Sequence, residues 1–246
     1  MLIRVLLISI SLFSDVYASS LKIYTIGNSL TGDTIPGKYA SGWHICGGHN
    51  LKRIQNNPDC SKNNKLTWKE ALTENKYNII TVQPYYGTRL SEDIEVISDW
   101  VQLQPSAIFV IHTGWPAVNK VHSSYIKGSI LRMNHSPFYF SNLVNRLKSK
   151  FPEIEIRLNP AFIALELIHR DIQNKHSPFK SLAELYRDKL HMNNVGKYLM
   201  HNLTRYTLQL PKSSKIFPTI PKNTKNYLDN IIIRASIESE KLFIKP

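Results

Sequence analysis

The stretch "LKIYTIGNSL" (21–30) sets the fold and raises the question of function. Its first seven residues, "LKIYTIG" (21–27), form a continuous apolar and β-branched run that ends in glycine. Such a run reads as a strand buried on both faces, which is the habit of parallel sheets. Three further runs repeat the pattern: "YNIITVQP" (77–84), "SAIFVIHTGWP" (106–116) and "EIEIRLNP" (153–160). Helical patterns separate them: "KLTWKEALTEN" (65–75), "SEDIEVISDWVQLQ" (91–104) with Ser91 as N-cap, and "PFYFSNLVNRLKSKF" (137–151). More helices are expected over 161–172, 193–210 and 226–242. The alternation predicts an α/β protein, a three-layer α/β/α sandwich around a mainly parallel sheet. Ligands of such sheets bind beyond the carboxyl ends of the strands. That rule directs attention to Ser29, Gln83, His112 to Trp115, and Asn159. Two stretches, 41–64 and 115–136, have no clear period, and the second reads as a long loop near a site.

The chain has 246 residues, 42% hydrophobic and 20% charged, which suits one substantial core. Residues 1–18 have the layout of a secretory signal peptide: Arg4, an apolar run from Val5 to Phe13, then Val16-Tyr17-Ala18 as a cleavage site. A retained anchor or a buried first helix is the alternative. The expected organisation is a leader (1–18) and a single domain (19–246) ending in a helical tail (211–246), secreted or periplasmic, without stable membrane insertion once the leader is cut. Cys46 and Cys60 are the only cysteines and make a disulfide candidate in an oxidising compartment, with two free thiols as the alternative. The formal charge is +13, scattered along the chain rather than clustered among aromatics, so no nucleic-acid partner is expected. The histidines show no metal-binding spacing, and no metal or organic cofactor is expected.

Two motifs overlap near residue 30. Gly32 to Lys38 spells most of a phosphate-binding loop, G-x-x-x-x-G-K. Tyr39 stands where the Mg²⁺-binding hydroxyl belongs, and Pro36 removes a backbone donor, so nucleotide binding is set aside. The other motif is Ser29 at the strand end. A serine there attacks an ester when a base takes its proton and donors hold the oxyanion. A base stands late in "YRDKLHMNNVGKYLM", where Asp188 precedes His191 by three residues, just ahead of a helix. In that turn the aspartate reaches one imidazole nitrogen while the other faces the serine. The plainer reading of Ser29 is a helix cap.

Gly27-Asn28-Ser29-Leu30 resembles the first block of the SGNH (GDSL-like) hydrolases, and Asp188-Lys189-Leu190-His191 with Gly196 resembles their last block. The resemblance runs from about 21 to 210. It implies a flavodoxin-like α/β fold with Ser29 as nucleophile, His191 as general base and acid, and Asp188 as its orienter. It also implies an oxyanion hole from the backbone N–H of Ser29, a glycine N–H and an amide side chain. The glycine is Gly47 or Gly48, with Gly48 preferred. No G-x-N-D follows a strand; "ITVQPYYGT" stands there, and Gln83 offers the same donor one methylene longer. Asn28 replaces the usual aspartate of the first block. Asn28, His112 and Trp115 are the further substrate-binding candidates. The expected function is an exported serine esterase acting on an acetyl or short-acyl ester of a small molecule or glycan. The alternative is a non-catalytic protein that holds a glycan or acidic polymer on the same fold.

Overall fold

The computed structural model describes residues 21–60 and 66–243. The signal-peptide expectation for 1–18 lies outside the described residues. Five parallel strands form one sheet: β1 (Ile23–Gly27), β2 (Gly42–Ile45), β3 (Ile79–Val82), β4 (Ile108–His112) and β5 (Ile156–Asn159). Their order is β2-β1-β3-β4-β5, the flavodoxin-like order. The chain leaves β1 toward one edge of the sheet and later returns to its other side at β3. A switch point therefore lies between β1 and β3. Register pairs Gly27 with Ile45 and Ile26 with Val82, so the carboxyl ends of the three neighbours lie side by side.

The helices are α1 (Ser29–Asp33), α2 (Leu51–Asn56), α3 (Trp68–Glu74), α4 (Leu90–Leu103), α5 (Val121–Ile126), α6 (Pro137–Lys150), α7 (Ala161–Gln173), α8 (Asn194–Thr207) and α9 (Lys222–Lys241). Helices α2, α3 and α6 pack around α4, while α5, α8 and α9 gather with α7, giving helical layers on both sides of the sheet. Side-chain alternation along β1 feeds both layers. Ile23 joins Ile79, Val110 and Leu208 in one cluster, whereas Tyr24 and Ile26 belong to the large cluster with Trp100 and Phe109. Full burial of β1, β3 and most of β4 explains their apolar runs.

Helix ends follow local chemistry. Thr67 and Glu70 form a capping box on α3, and the Ser136 hydroxyl accepts from the Tyr139 N–H ahead of Pro137 on α6. Helix α4 begins at Leu90, not at Ser91 with a serine cap; Arg89 precedes it in extended conformation and bridges to Arg132. The aperiodic stretch 41–64 contains β2 and α2. Strand β2 is a four-residue edge strand, mostly half-buried, so it lacks the apolar run of its neighbours. Gly42 lies there against the Tyr24 ring, which a Cβ would approach to 3.0 Å. In the C-terminal tail, α9 packs on α7 and α8.

Cys46 and Cys60 are joined, closing the segment that contains α2, with Cα atoms 5.7 Å apart. His44 lies beneath the bridge: its Nδ1 accepts from the Trp68 N–H at 2.7 Å. Loop closure of this length stabilises by about 3 kcal/mol in the chain-entropy model. The Cys46→Ser/Cys60→Ser variant should therefore unfold in urea with stability lower by about 2–4 kcal/mol. A loss below about 1 kcal/mol would show that the His44 and Trp68 contacts hold the loop without the bridge.

Candidate active site

Beyond the carboxyl ends of β1, β2 and β3 lies a cavity of about 850 Å³. Ser29, Gly48, Gln83 and His191 all line it. Ser29 opens α1, and its neighbour Asn28 is the cap, accepting from the Leu30 N–H at 3.1 Å. Capping is thus the work of Asn28, and the Ser29 hydroxyl is left to bond His191 Nε2 at 3.0 Å. His191 Nδ1 lies 2.9 Å from Asp188 Oδ2. Asp188 Oδ1 accepts the backbone N–H groups of His191 (2.7 Å) and Leu190 (2.8 Å). Those two N–H groups, first His191's and then Leu190's, hold its carboxyl well below the usual carboxylate range. Asp188 is an anion, so Nδ1 carries the proton and Nε2 presents its lone pair to the serine.

The loop that carries Asp188 and His191 is fastened at several points. Asp33, at the end of α1, accepts the Met192 N–H at 2.8 Å and pairs with Arg187 (3.3 Å) and Lys197 (3.5 Å). Tyr186 and Met192 form an antiparallel bridge. Trp115 is fully buried, and its indole N–H donates to the Leu190 carbonyl at 2.8 Å. The Asn193 side chain caps α8 through the N–H groups of Val195 and Gly196. Gly196 is required because a Cβ there would collide with the Leu185 carbonyl and come 2.5 Å from Met192 Sδ.

Gln83 follows β3 and is buried. The Thr31 hydroxyl donates to its Oε1, which turns Nε2 into the amide's donor end. Two glycines admit this arrangement. A Cβ on Gly27 would strike Thr31 Oγ1, and one on Gly114, at φ +61°, would lie 2.8 Å from Gln83 Nε2. Gly48 has φ +69° and lines the cavity, whereas Gly47 does not. Asn28 lines the cavity too, and its Nδ2 is buried with no hydrogen-bond partner.

The remaining candidates divide. Trp115 lines the cavity. His112 does not: as the last residue of β4 it turns into the core, where Nδ1 accepts the Gly114 N–H at 3.3 Å. Its assignment to substrate is thereby corrected: it shares a sheet face with Gln83 but is buried, its ring 5.9 Å from that of Trp115, which lines the cavity. Asn159 is also internal, its Nδ2 donating to Thr204 Oγ1 at 2.8 Å. The rest of the cavity wall has no counterpart among the expected residues. It comprises Tyr85 and Tyr86 after β3, Lys120, Ser123, Ser124 and Lys127 around α5, and Asn134 and His135 before α6. The aperiodic stretch 115–136 is the hint in the sequence of the part around α5 and before α6; Tyr85 and Tyr86 have none. Another cavity, of about 580 Å³ beside Arg157 and Phe243, is lined by neither histidine nor cysteine. Among the described residues, one group of metal-ligating types lies close together: His44, Cys46 and Cys60. Its two sulfurs are bonded to each other, so neither is a thiolate.

No protein-family model matches the chain, and no curated protein matches it. Solved structures do. One is the crystal structure, at 1.50 Å, of a DUF4886 family protein from Bacteroides uniformis ATCC 8492. It is 16% identical, with a TM-score of 0.59 over 88% of this chain and 95% of that one. At that identity the likeness establishes the fold: an α/β protein with a parallel five-stranded sheet and helices on both faces.

The anchoring of the site and the burial of its surroundings each have a measurable consequence. Asp33→Ala should lower stability by about 1–3 kcal/mol, through the loss of charge-assisted bonds, and speed exchange of the Met192 amide. Unchanged exchange would mean that Asp33 does not hold the loop. Burial pushes His44 down to about 4, His112 to about 3 and His135 to about 4. Below about pH 6.5 the unfolded chain binds protons that these folded histidines refuse, so stability falls as pH drops toward 4. Asp93, pushed up to about 7 by burial, acts in the opposite direction across the same window, one group against these three and His201, which burial also pushes down. The urea midpoint should be lower at about pH 4.5 than at about pH 7.5. An equal or higher midpoint at the acid end would refute this balance.

Proposed function

We propose that the chain is an SGNH-type serine esterase that acts on an acetyl or short-acyl ester. The observation that carries the reading is the Ser29–His191–Asp188 relay at the sheet's switch point, with both hydrogen bonds in place across 162 and three positions of sequence. In the proposed reaction Ser29 Oγ attacks the ester carbonyl carbon as His191 Nε2 takes its proton. The carbonyl π electrons move onto oxygen. That oxyanion is met by the backbone N–H groups of Ser29 and Gly48 and by Gln83 Nε2. The first N–H groups of a helix have no partner within it, which leaves the Ser29 amide available. Collapse of the intermediate breaks the C–O bond to the alcohol, which leaves with the proton from His191. Water then adds to the acyl-serine by the same steps, releasing the carboxylic acid and restoring Ser29.

Export is part of the proposal. The leader-like sequence at 1–18 and the Cys46–Cys60 bridge both favour an oxidising compartment. Among the described residues no helix is long and apolar enough to cross a membrane.

Hydrolysis of p-nitrophenyl acetate tests the reading. Ser29→Ala and His191→Ala should each lower kcat/KM by at least ~1,000-fold, and Gln83→Ala by about 100-fold. Each variant should keep the parent's circular dichroism. Full activity in Ser29→Ala would sink the proposal, and so would an inert parent protein across short-chain esters.

A further inference from the structure

We infer that the alcohol part of the ester is an acidic saccharide, seated between the Tyr86 ring and the wall that carries Lys120 and Lys127. The inference rests on the esterase reading for its chemistry. Its own evidence lies in residues outside the Ser29–His191–Asp188 set.

Charge is the first observation. Lys120 and Lys127 line the cavity, and no aspartate or glutamate does. Neither lysine has a carboxylate partner among the described residues. Three lysines elsewhere do: Lys52 pairs with Glu95, Lys212 with Asp229 and Lys197 with Asp33. Two unpaired ammonium groups in a concave, carboxylate-free wall raise the local concentration of anions. They also disfavour a long-chain lipid ester, whose acyl chain would displace their water without replacing its hydrogen bonds.

The wall is held in place, so the lysines are presented rather than adrift. His122 on α5 lies with Nδ1 3.0 Å from Glu166 Oε1, a carboxylate buried on α7 and also bonded by Arg170. Tyr125, also on α5, donates to Glu238 on α9 at 2.9 Å, and its ring lies under the Arg170 guanidinium. The same short helix turns Ser123 and Ser124 toward the cavity.

Hydroxyl recognition is the second observation. The His135 ring is buried, and its Nδ1 lies 3.1 Å from the Thr113 carbonyl. A carbonyl only accepts, so Nδ1 carries the proton. Burial pushes the group down to about 4 and keeps it neutral, so Nε2 is an acceptor. Tyr86 stacks on this ring, centroids 6.2 Å apart, yet is 65% exposed itself. A large aromatic face left open beside a neutral acceptor and two serine hydroxyls fits a flat, hydroxylated ring. A cavity of about 850 Å³ also exceeds what a short acyl group fills.

The test compares O-acetylated oligogalacturonate with the same oligomer after reduction of its carboxyl groups to alcohols. The acidic substrate should have the higher kcat/KM by about tenfold at low ionic strength, and the advantage should shrink at about 0.5 M salt. In Lys120→Gln/Lys127→Gln the ratio should fall toward one. In Lys22→Gln/Lys76→Gln, which removes equal charge just before β1 and β3, at the amino ends of the strands opposite the cavity, it should persist. Equal use of both oligomers by a protein that hydrolyses p-nitrophenyl acetate through Ser29 would overturn the inference and leave the esterase reading standing. Loss of the ratio in both lysine pairs would overturn it as well, since net charge alone would then explain it. If no ester is hydrolysed, calorimetry with the two deacetylated oligomers still decides. Tighter binding of the acidic one through Lys120 and Lys127 supports the inference, and equal binding refutes it.

Discussion

Asp33 is the joint on which the site depends. Its carboxylate ends the short helix that begins with Ser29, and it receives the backbone of Met192, the residue after His191. One side chain thereby ties the first βα turn to a loop nearly 160 positions later. Arg187 and Lys197 supply the compensating charge from the same late segment. A buried carboxylate without such partners would be costly, so the loop is drawn to the one place where its cations and its amide are all satisfied.

The sheet supplies the other half of the geometry. Because β2 and β3 flank β1, the turns after all three strands open on one crevice. Gly48, Ser29 and Gln83 come from those three turns. The Thr31–Gln83 bond then fixes which end of the amide is the donor, and Gly27 and Gly114 provide the space. In the proposed reaction, an amide oriented by packing would cost little to align when charge develops, which is what electrostatic preorganisation requires.

Much of this is legible in the amino-acid sequence. While edge strand β5 alternates in "EIEIRL", strands β1, β3 and β4 declare themselves as continuous apolar runs because helices cover both faces. Edge strand β2 does not, being short and half-exposed, and it hides in a stretch with no period. Ser29, Asp188 and His191 stand out because a strand-end serine and a D-x-x-H turn are local patterns with local meaning. The wall of the cavity is different. Lys120, Lys127, Tyr86 and His135 belong to loops whose placement is decided by distant partners such as Glu166 and Thr113. His112 shows the limit of the strand-end rule: the rule names a position, while neighbouring side chains such as Trp115 decide whether it reaches the cavity. Asp33 escapes notice because its partners are distant too; within "GDTIPGK" it is an unremarkable acid.

The distance in sequence between Ser29 and His191 has a bearing on how the molecule comes into being. A chain synthesised from its amino terminus delivers the serine early, together with Gly48 and the bridge-forming cysteines. The imidazole arrives only after all five strands have been made. Until the segment through α8 has emerged and docked, the serine has no imidazole beside it. The Ser29–His191 contact is therefore a property of the finished fold alone, and any fragment that stops short of residue 191 lacks it.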